Sequence, residues 1–358
     1  MPVSFSIGTY NFENFFSRAI LMNRDRDKMA PYLEKVAALQ EEISKAKYDR
    51  ARVRALYQAV KPYVAVMENK GSRLFKKDGS VLPAGRADWG GFIELKREVI
   101  GDEAQENTLR VIKAISADVL CVVEVENRPV LAEIAKSSLL GTGGKYPFAM
   151  VIDGNDTRGI DVGLLSRFPI EEIRSHVDDR DGKYPIFSRD CPEYRVVLPG
   201  GRSLFVLCNH LKSQGYGTPA QNNARRLKQS KRVAEILDRY DLTKDLVVVA
   251  GDLNADPDGP NGASLAPLIN HPGLVDVVKA HLPQAEQWAY FYRNKKQRLD
   301  YIFCSKPLAA GVQSVAIERR GMWSLGKATG GAQKPFPTVT GEANQASDHG
   351  AIVARVVL

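Results

Sequence analysis

The sequence predicts an α/β fold with one core running through its 358 residues. Three observations lead there. Short apolar runs rich in β-branched residues recur along the chain, helical patterns are interspersed with them, and no internal repeat divides the length into blocks. Hydrophobic residues make up 44% and charged residues 26%, enough for a sizeable core and against global disorder.

Taken in order, strands are expected at 3–10, 118–125, 148–151, 161–166, 194–198, 204–210, 246–250, 299–304 and 351–357. Runs such as VLCVV and LVVVA lack polar alternation, as strands covered on both faces do. Helices are expected at 104–116, where Leu109, Ile112 and Ile115 share a face, and at 224–240, with Leu227, Val233, Ile236 and Leu237. Residues 17–70 break the pattern. Val36, Leu39, Ile43 and Ala46 follow Tyr32 in a 4-3-4-3 spacing, which resumes at Val53, Tyr57, Val60 and Val64 after an interruption at Arg50. That spacing predicts a long amphipathic helix or helical hairpin, opened by Pro31 and kinked or ended near Pro62. With fewer than about four clean heptads, packing on its own domain is favoured over homo-oligomerisation through this segment. Residues 71–100 read as hairpin-like, with a turn at Asp78-Gly79. The plan is therefore a single domain, 1–358, carrying an inserted helical segment (17–70) and an inserted hairpin-like segment (71–100).

Lys and Arg number 50 against 42 Asp and Glu, a formal net charge of +8. That excess suits a polyanion such as nucleic acid or an anionic lipid surface. Cys121, Cys208 and Cys304 lie inside apolar runs and read as buried free thiols. The absence of any CxxC or paired spacing gives no support to a zinc site or a disulfide framework. The stretch MPVSFSIGTYNF has no basic region followed by an apolar one, and no apolar run approaches ~20 residues. A cytoplasmic protein without a membrane span is expected.

Functional side chains gather where strands end. Asn11 and Glu13 close the first run, and Glu124 closes DVLCVVE. Asn209, His210, Lys212 and Ser213 close LFVLCNHLKS; Asp252 and Asn254 close VVVAGDLN. Asp300 lies within RLDYIF, and Asp348 and His349 precede the last strand. One such ending is a turn; several together call for another explanation. Oxygen donors with few cysteines suit Mg²⁺ or Mn²⁺, and two histidines near carboxylates suit proton transfer near neutral pH. In a basic protein this set fits phosphoester hydrolysis.

The motifs TYNFEN, DVLCVVE, NHLKS, GDLN, RLDYIF and SDH, in that order from Asn11 to His349, closely resemble the endonuclease/exonuclease/phosphatase superfamily. The resemblance implies a four-layer αββα sandwich of two mainly antiparallel sheets with helices outside. It implies Glu124 as the main metal carboxylate, helped by Asn11, Asp348 and Glu13. His349 resembles the superfamily's catalytic histidine, held by Asp300. Asp252 would position or deprotonate the attacking water, Asn254 would hold a phosphate oxygen, and His210 would serve the leaving group or bind phosphate. Asp161 is offered as a partner of His210. Arg158, Asn209 and Lys212 are expected on the substrate side. Arg225, in the helix after NHLKS, either grips a backbone phosphate or belongs to an ordinary basic face.

The leading expectation is a Mg²⁺/Mn²⁺-dependent nuclease acting on DNA by direct water attack. Second is a phosphomonoesterase or a phospholipid or inositol phosphate phosphatase of the same superfamily, with Trp89 and Phe92 as the aromatics to watch for membrane docking. Third, and least favoured, is a non-catalytic nucleic-acid-binding module.

Overall fold

The computed structural model describes residues 2–23, 26–69, 72–99 and 103–358. The chain divides into two compact units, one of residues 1–16 with 101–358 and the other of residues 17–100. The boundary drawn between 70 and 71 lies outside the described residues.

The larger unit carries β1 (Ser4–Phe15), β2 (Val119–Val125), β3 (Phe148–Ile152), β4 (Asp161–Ser166), β5 (Ile170–Arg174) and β6 (Glu193–Val197). It continues with β7 (Ser203–His210), β8 (Leu246–Asp252), β9 (Leu274–Asp276), β10 (Asp300–Ser305), β11 (Val312–Glu318) and β12 (Ala351–Val357). They form two six-stranded sheets, β11-β12-β1-β2-β4-β3 and β9-β10-β8-β7-β6-β5. Each sheet holds one parallel pair, β1 with β2 and β7 with β8, and is otherwise antiparallel. This is the two-sheet sandwich that the motifs implied.

Alternation along the strands builds the core. Ile7, Cys121, Leu164 and Ile352 from one sheet meet Val206, Cys208, Val248 and Ile302 from the other in one buried cluster. The other face of β7 and β8 is also covered: Leu207, Val247 and Val249 pack with Val233, Ile236 and Leu237 of a helix over Pro219–Leu237. Burial on both faces explains the unbroken valines. All four cysteines are free and buried, Cys191 included.

That helix begins five residues before the apolar spacing alone indicated. Pro219 occupies its first turn, and Thr218 and Gln221 close a reciprocal capping box. A second helix, Glu103–Ile115, buries Leu109, Val111, Ile112 and Ile115. None of the described helices is long and apolar enough to cross a membrane.

The smaller unit has two helices rather than one continuous one, Arg26–Glu42 and Arg50–Val60. The interruption at Arg50 is a helix start: Asp49 caps it by accepting the Arg52 amide at 3.0 Å. Pro31 lies inside the first helix rather than opening it. It lacks the N–H that a helix interior uses, and apolar packing of Val36, Leu39 and Ile43 compensates. Residues 64–67 and 92–95 pair as antiparallel strands, and Gly79 turns the chain at φ +79° between bridged Phe75 and Val81. Trp89 is wholly buried in this unit's core, so it is no docking aromatic; Phe92 is exposed.

Gly251 is the residue on which the parallel β7–β8 pair depends. Its φ is +139°, and a Cβ there would lie 1.9 Å from the Asn209 carbonyl oxygen. Gly251→Ala is expected to cost about 2 kcal/mol or more in urea denaturation; an unchanged midpoint would contradict this packing.

Candidate active site

Strand direction gathers the polar residues at one end of the sandwich. β1, β2, β7 and β8 finish there, whereas β10 begins there, with Asp300 opposite Asp252. Asp348 and His349 sit just before β12, which runs antiparallel to β1. The ends of both sheets wall a cleft of about 450 Å³, lined by Asn11, Glu13, Glu124, His210, Asp252, Asn254, Asp348 and His349, with Arg158, Arg189, Tyr216, Tyr290 and Tyr292.

Backbone irregularities aim several of these side chains. The β2 register shifts between Val123 and Val125, and Glu124 takes φ +65°. The β1 register shifts after Asn11, with Glu13 at φ +52°, and Asn254 follows β8 at φ +56°. Bulges turn side chains out of a strand's alternation. For residues with a Cβ the left-handed region costs about 1 kcal/mol each, a cost that concentrates at functional sites.

Asp252 forms the floor. Buried, it accepts Asn11 Nδ2 at 3.2 Å, Asn254 Nδ2 at 3.1 Å and the Asn254 amide at 2.8 Å. The first of these bonds joins the two sheets. Burial pushes the Asp252 carboxyl up to about 7, with His349 opposing and Asp300 adding to the rise.

The two histidines differ. His349 Nδ1 lies 2.7 Å from Asp300 Oδ2, while Nε2 points into the cleft, 3.9 Å from Asp252 and 3.8 Å from Asp348. Burial works against its charge, but Asp300 and Asp348 outweigh it and hold the ring well above the ordinary histidine value. His210 Nε2 lies 3.8 Å from both Glu124 and Asp252. Burial first, then the positive charges of Arg189 and His349, hold His210 well below its ordinary value, so those contacts are not ion pairs. The proton affinities of the two rings are pushed apart, the separation that acid–base chemistry needs.

Several expected residues lie elsewhere. Asp161 does not partner His210: it accepts the Gly154 amide at 2.9 Å, and His210 Nδ1 has no hydrogen-bond partner among the described residues. Asn209 turns away from the cleft and donates to the Leu207 carbonyl at 3.1 Å. Adjacent strand residues face opposite ways, so His210 and Asn209 cannot both point inward. Lys212 and Arg225 line an adjoining pocket of about 370 Å³ with Arg158, Arg189 and Tyr216. The Lys212 ammonium bonds the Ser213 and Gly215 carbonyls at 3.0 and 2.5 Å. Arg158 makes a two-pronged pair with Asp156 at 3.0 and 2.8 Å. Arg189, Tyr216, Tyr290 and Tyr292 escaped the sequence reading. Arg189 is an isolated arginine whose pairing with Asp156, at 3.2 Å, is tertiary.

Helix Glu103–Ile115 steadies the loop before β12: Thr108 Oγ1 donates to the Ala346 carbonyl at 2.8 Å and Asn107 Nδ2 to that of Asn344 at 2.7 Å. Gln345 from this loop donates to Glu13 at 3.0 Å.

The family profile described as Endonuclease/Exonuclease/phosphatase matches residues 101–349, and the chain belongs to that family of phosphoester hydrolases, whose members generally depend on divalent metals. No curated protein matches. Among solved structures, an endonuclease/exonuclease/phosphatase from Beutenbergia cavernae DSM 12333 is 20% identical, at TM-score 0.51 over 72% of this chain and 67% of its own. An endonuclease/exonuclease/phosphatase family protein from Bacteroides thetaiotaomicron is 13% identical, at TM-score 0.51 over 100% and 99%. At these identities the likeness concerns the fold.

The donors at the cleft fit such a metal by their chemistry. Glu13, Glu124, Asp348 and the Asn11 amide offer hard oxygens, the set that Mg²⁺ and Mn²⁺ take. Among the described residues no three acidic, His or Cys side chains already form a metal-holding group. Glu13 is nonetheless raised, by partial loss of hydration first and then by the charge of Asp348, with His349 opposing and Glu124 adding to the rise, a crowding of carboxylates that a cation would relieve.

Asp300 is wholly buried, and its Oδ1 has no hydrogen-bond partner among the described residues. Asp300→Asn is expected to lower kcat roughly 10²-fold or more while leaving the circular dichroism spectrum intact. Retention of full turnover would show that His349 does not need its charged partner.

Proposed function

We propose that this chain is a divalent-metal-dependent phosphodiesterase, a nuclease acting on DNA by direct attack of water. The observation that carries the reading is His349, held by Asp300 at 2.7 Å and facing tethered Asp252 across 3.9 Å. Asp252 orients a water and takes its proton; its raised carboxyl is suited to that exchange. The His349 imidazolium faces the scissile phosphate and stabilises the charge that grows there. Asn254 anchors Asp252 and borders the place of a phosphate oxygen, and neutral His210 can accept or pass on a hydrogen bond at the leaving side. Glu124, Asn11, Glu13 and Asp348 would hold Mg²⁺ or Mn²⁺, which when bound neutralises phosphate charge. The net charge of +8 and Arg158 and Arg189 at the cleft suit a polyanionic substrate.

Closed circular plasmid DNA incubated with Mg²⁺ or Mn²⁺ is expected to be nicked, with His349→Ala slower by about three orders of magnitude and activity abolished by EDTA. Intact plasmid alongside rapid phosphate release from an inositol phosphate would contradict the nuclease assignment.

A further inference from the structure

Residues 290–297 read YFYRNKKQ: aromatics, then three cations and no acid. They form a hairpin, Tyr290–Tyr292 against Lys295–Gln297, whose two turn residues both lie in the left-handed region, Arg293 at φ +46° and Asn294 at φ +63°. That is the tight turn whose twist matches two paired strands, so the hairpin is held to one shape. It is tied to the segment just before β12 by the bridge of Tyr290 with His349 and by the Gly350 amide, which donates to the Ala289 carbonyl at 2.6 Å.

Its rings form a staircase out of the site. The Tyr290 ring lies 4.8 Å from that of His349, and the Tyr292 ring 6.3 Å from that of Tyr290. The Arg293 guanidinium sits 5.2 Å from the Tyr292 ring, and Tyr292 as a residue is still 53% exposed. Both tyrosines line the cleft. Phosphoester chemistry at His349 does not require a half-exposed aromatic two steps away. Such a ring gains most from a planar group laid against it.

We propose that this hairpin is a platform for an unpaired nucleobase, with Tyr292 stacking the base beside the phosphate that faces His349. The inference rests on the phosphodiesterase reading and narrows its substrate to single-stranded or frayed nucleic acid. In a duplex, neighbouring bases cover both faces of each base, whereas an unpaired base offers a face to an aromatic side chain. Arg293, Lys295 and Lys296 supply charge for the flanking phosphates. A membrane-inserting hairpin would carry apolar residues at its tip, and this tip is Arg293-Asn294.

The test is fluorescence anisotropy in EDTA with a labelled oligothymidylate and an abasic tetrahydrofuran strand of equal length, so that phosphates are matched and bases are not. The wild type is expected to bind the thymidine strand roughly ten-fold more tightly, Tyr292→Ala to lose that preference and Tyr292→Phe to keep it. Equal binding of the two strands by the wild type, or an undiminished preference in Tyr292→Ala, overturns the platform. Tyr292-dependent binding to phosphatidylcholine vesicles with no base preference overturns it as well. Hydrolysis of both strands with Mg²⁺ or Mn²⁺ is measured separately. If the wild type cleaves neither, the phosphodiesterase reading falls, while the binding comparison still decides whether the platform exists.

Discussion

The site depends on a carboxylate, Asp252, placed where water is scarce. An ionised carboxylate in such a position costs several kcal/mol unless donors and counter-charge replace its hydration. Here the donors are Asn11 from one sheet and Asn254 from the turn after β8, and the nearest cationic ring is His349. Each imposes a demand on the chain. Asn254 must adopt a left-handed backbone, Gly251 must lack a side chain, and the two sheets must pack with their functional ends together. The sandwich is therefore the device that brings Asn11 and Asp252, 241 positions apart, within hydrogen-bond distance.

From that floor the polarity of the cleft follows. Carboxyls Asp252, Asp300 and Asp348 surround His349 and favour its proton. His210 is favoured neutral by its burial first, and then by the positive charges of Arg189 and His349. The two rings are pushed in opposite directions because β10 and the loop before β12 place carboxyls around one, while burial, helped by Arg189, acts unopposed on the other. Two imidazoles in one cleft thus acquire different chemical capacities from their neighbours.

The core strands were legible because burial on both faces leaves a continuous apolar run. The strands at Ile170–Arg174 and Val312–Glu318 were not. IEEIR and VQSVAIE mix polar with apolar residues at the sheet edge, where one face meets water. The site residues stood out because several strands ended in acids, amides or imidazoles. Partnerships were harder to read. Asp161 and Asn209 lay beside the right motifs, but side-chain alternation and a nearby amide took them elsewhere. Tyr290 and Tyr292 lie in WAYFY, a run of aromatics with no motif around it, and it is the hairpin that sets them at the cleft. Nothing local in a sequence distinguishes a buried ring from one that lines a site.

Side-chain ¹⁵N NMR of the histidines in the metal-free protein near pH 7 tests the central claim directly. His349 is expected to be protonated on both ring nitrogens and His210 on one. A neutral His349 together with a charged His210 would contradict it, because the acidic and basic neighbours would then not govern the two rings as described.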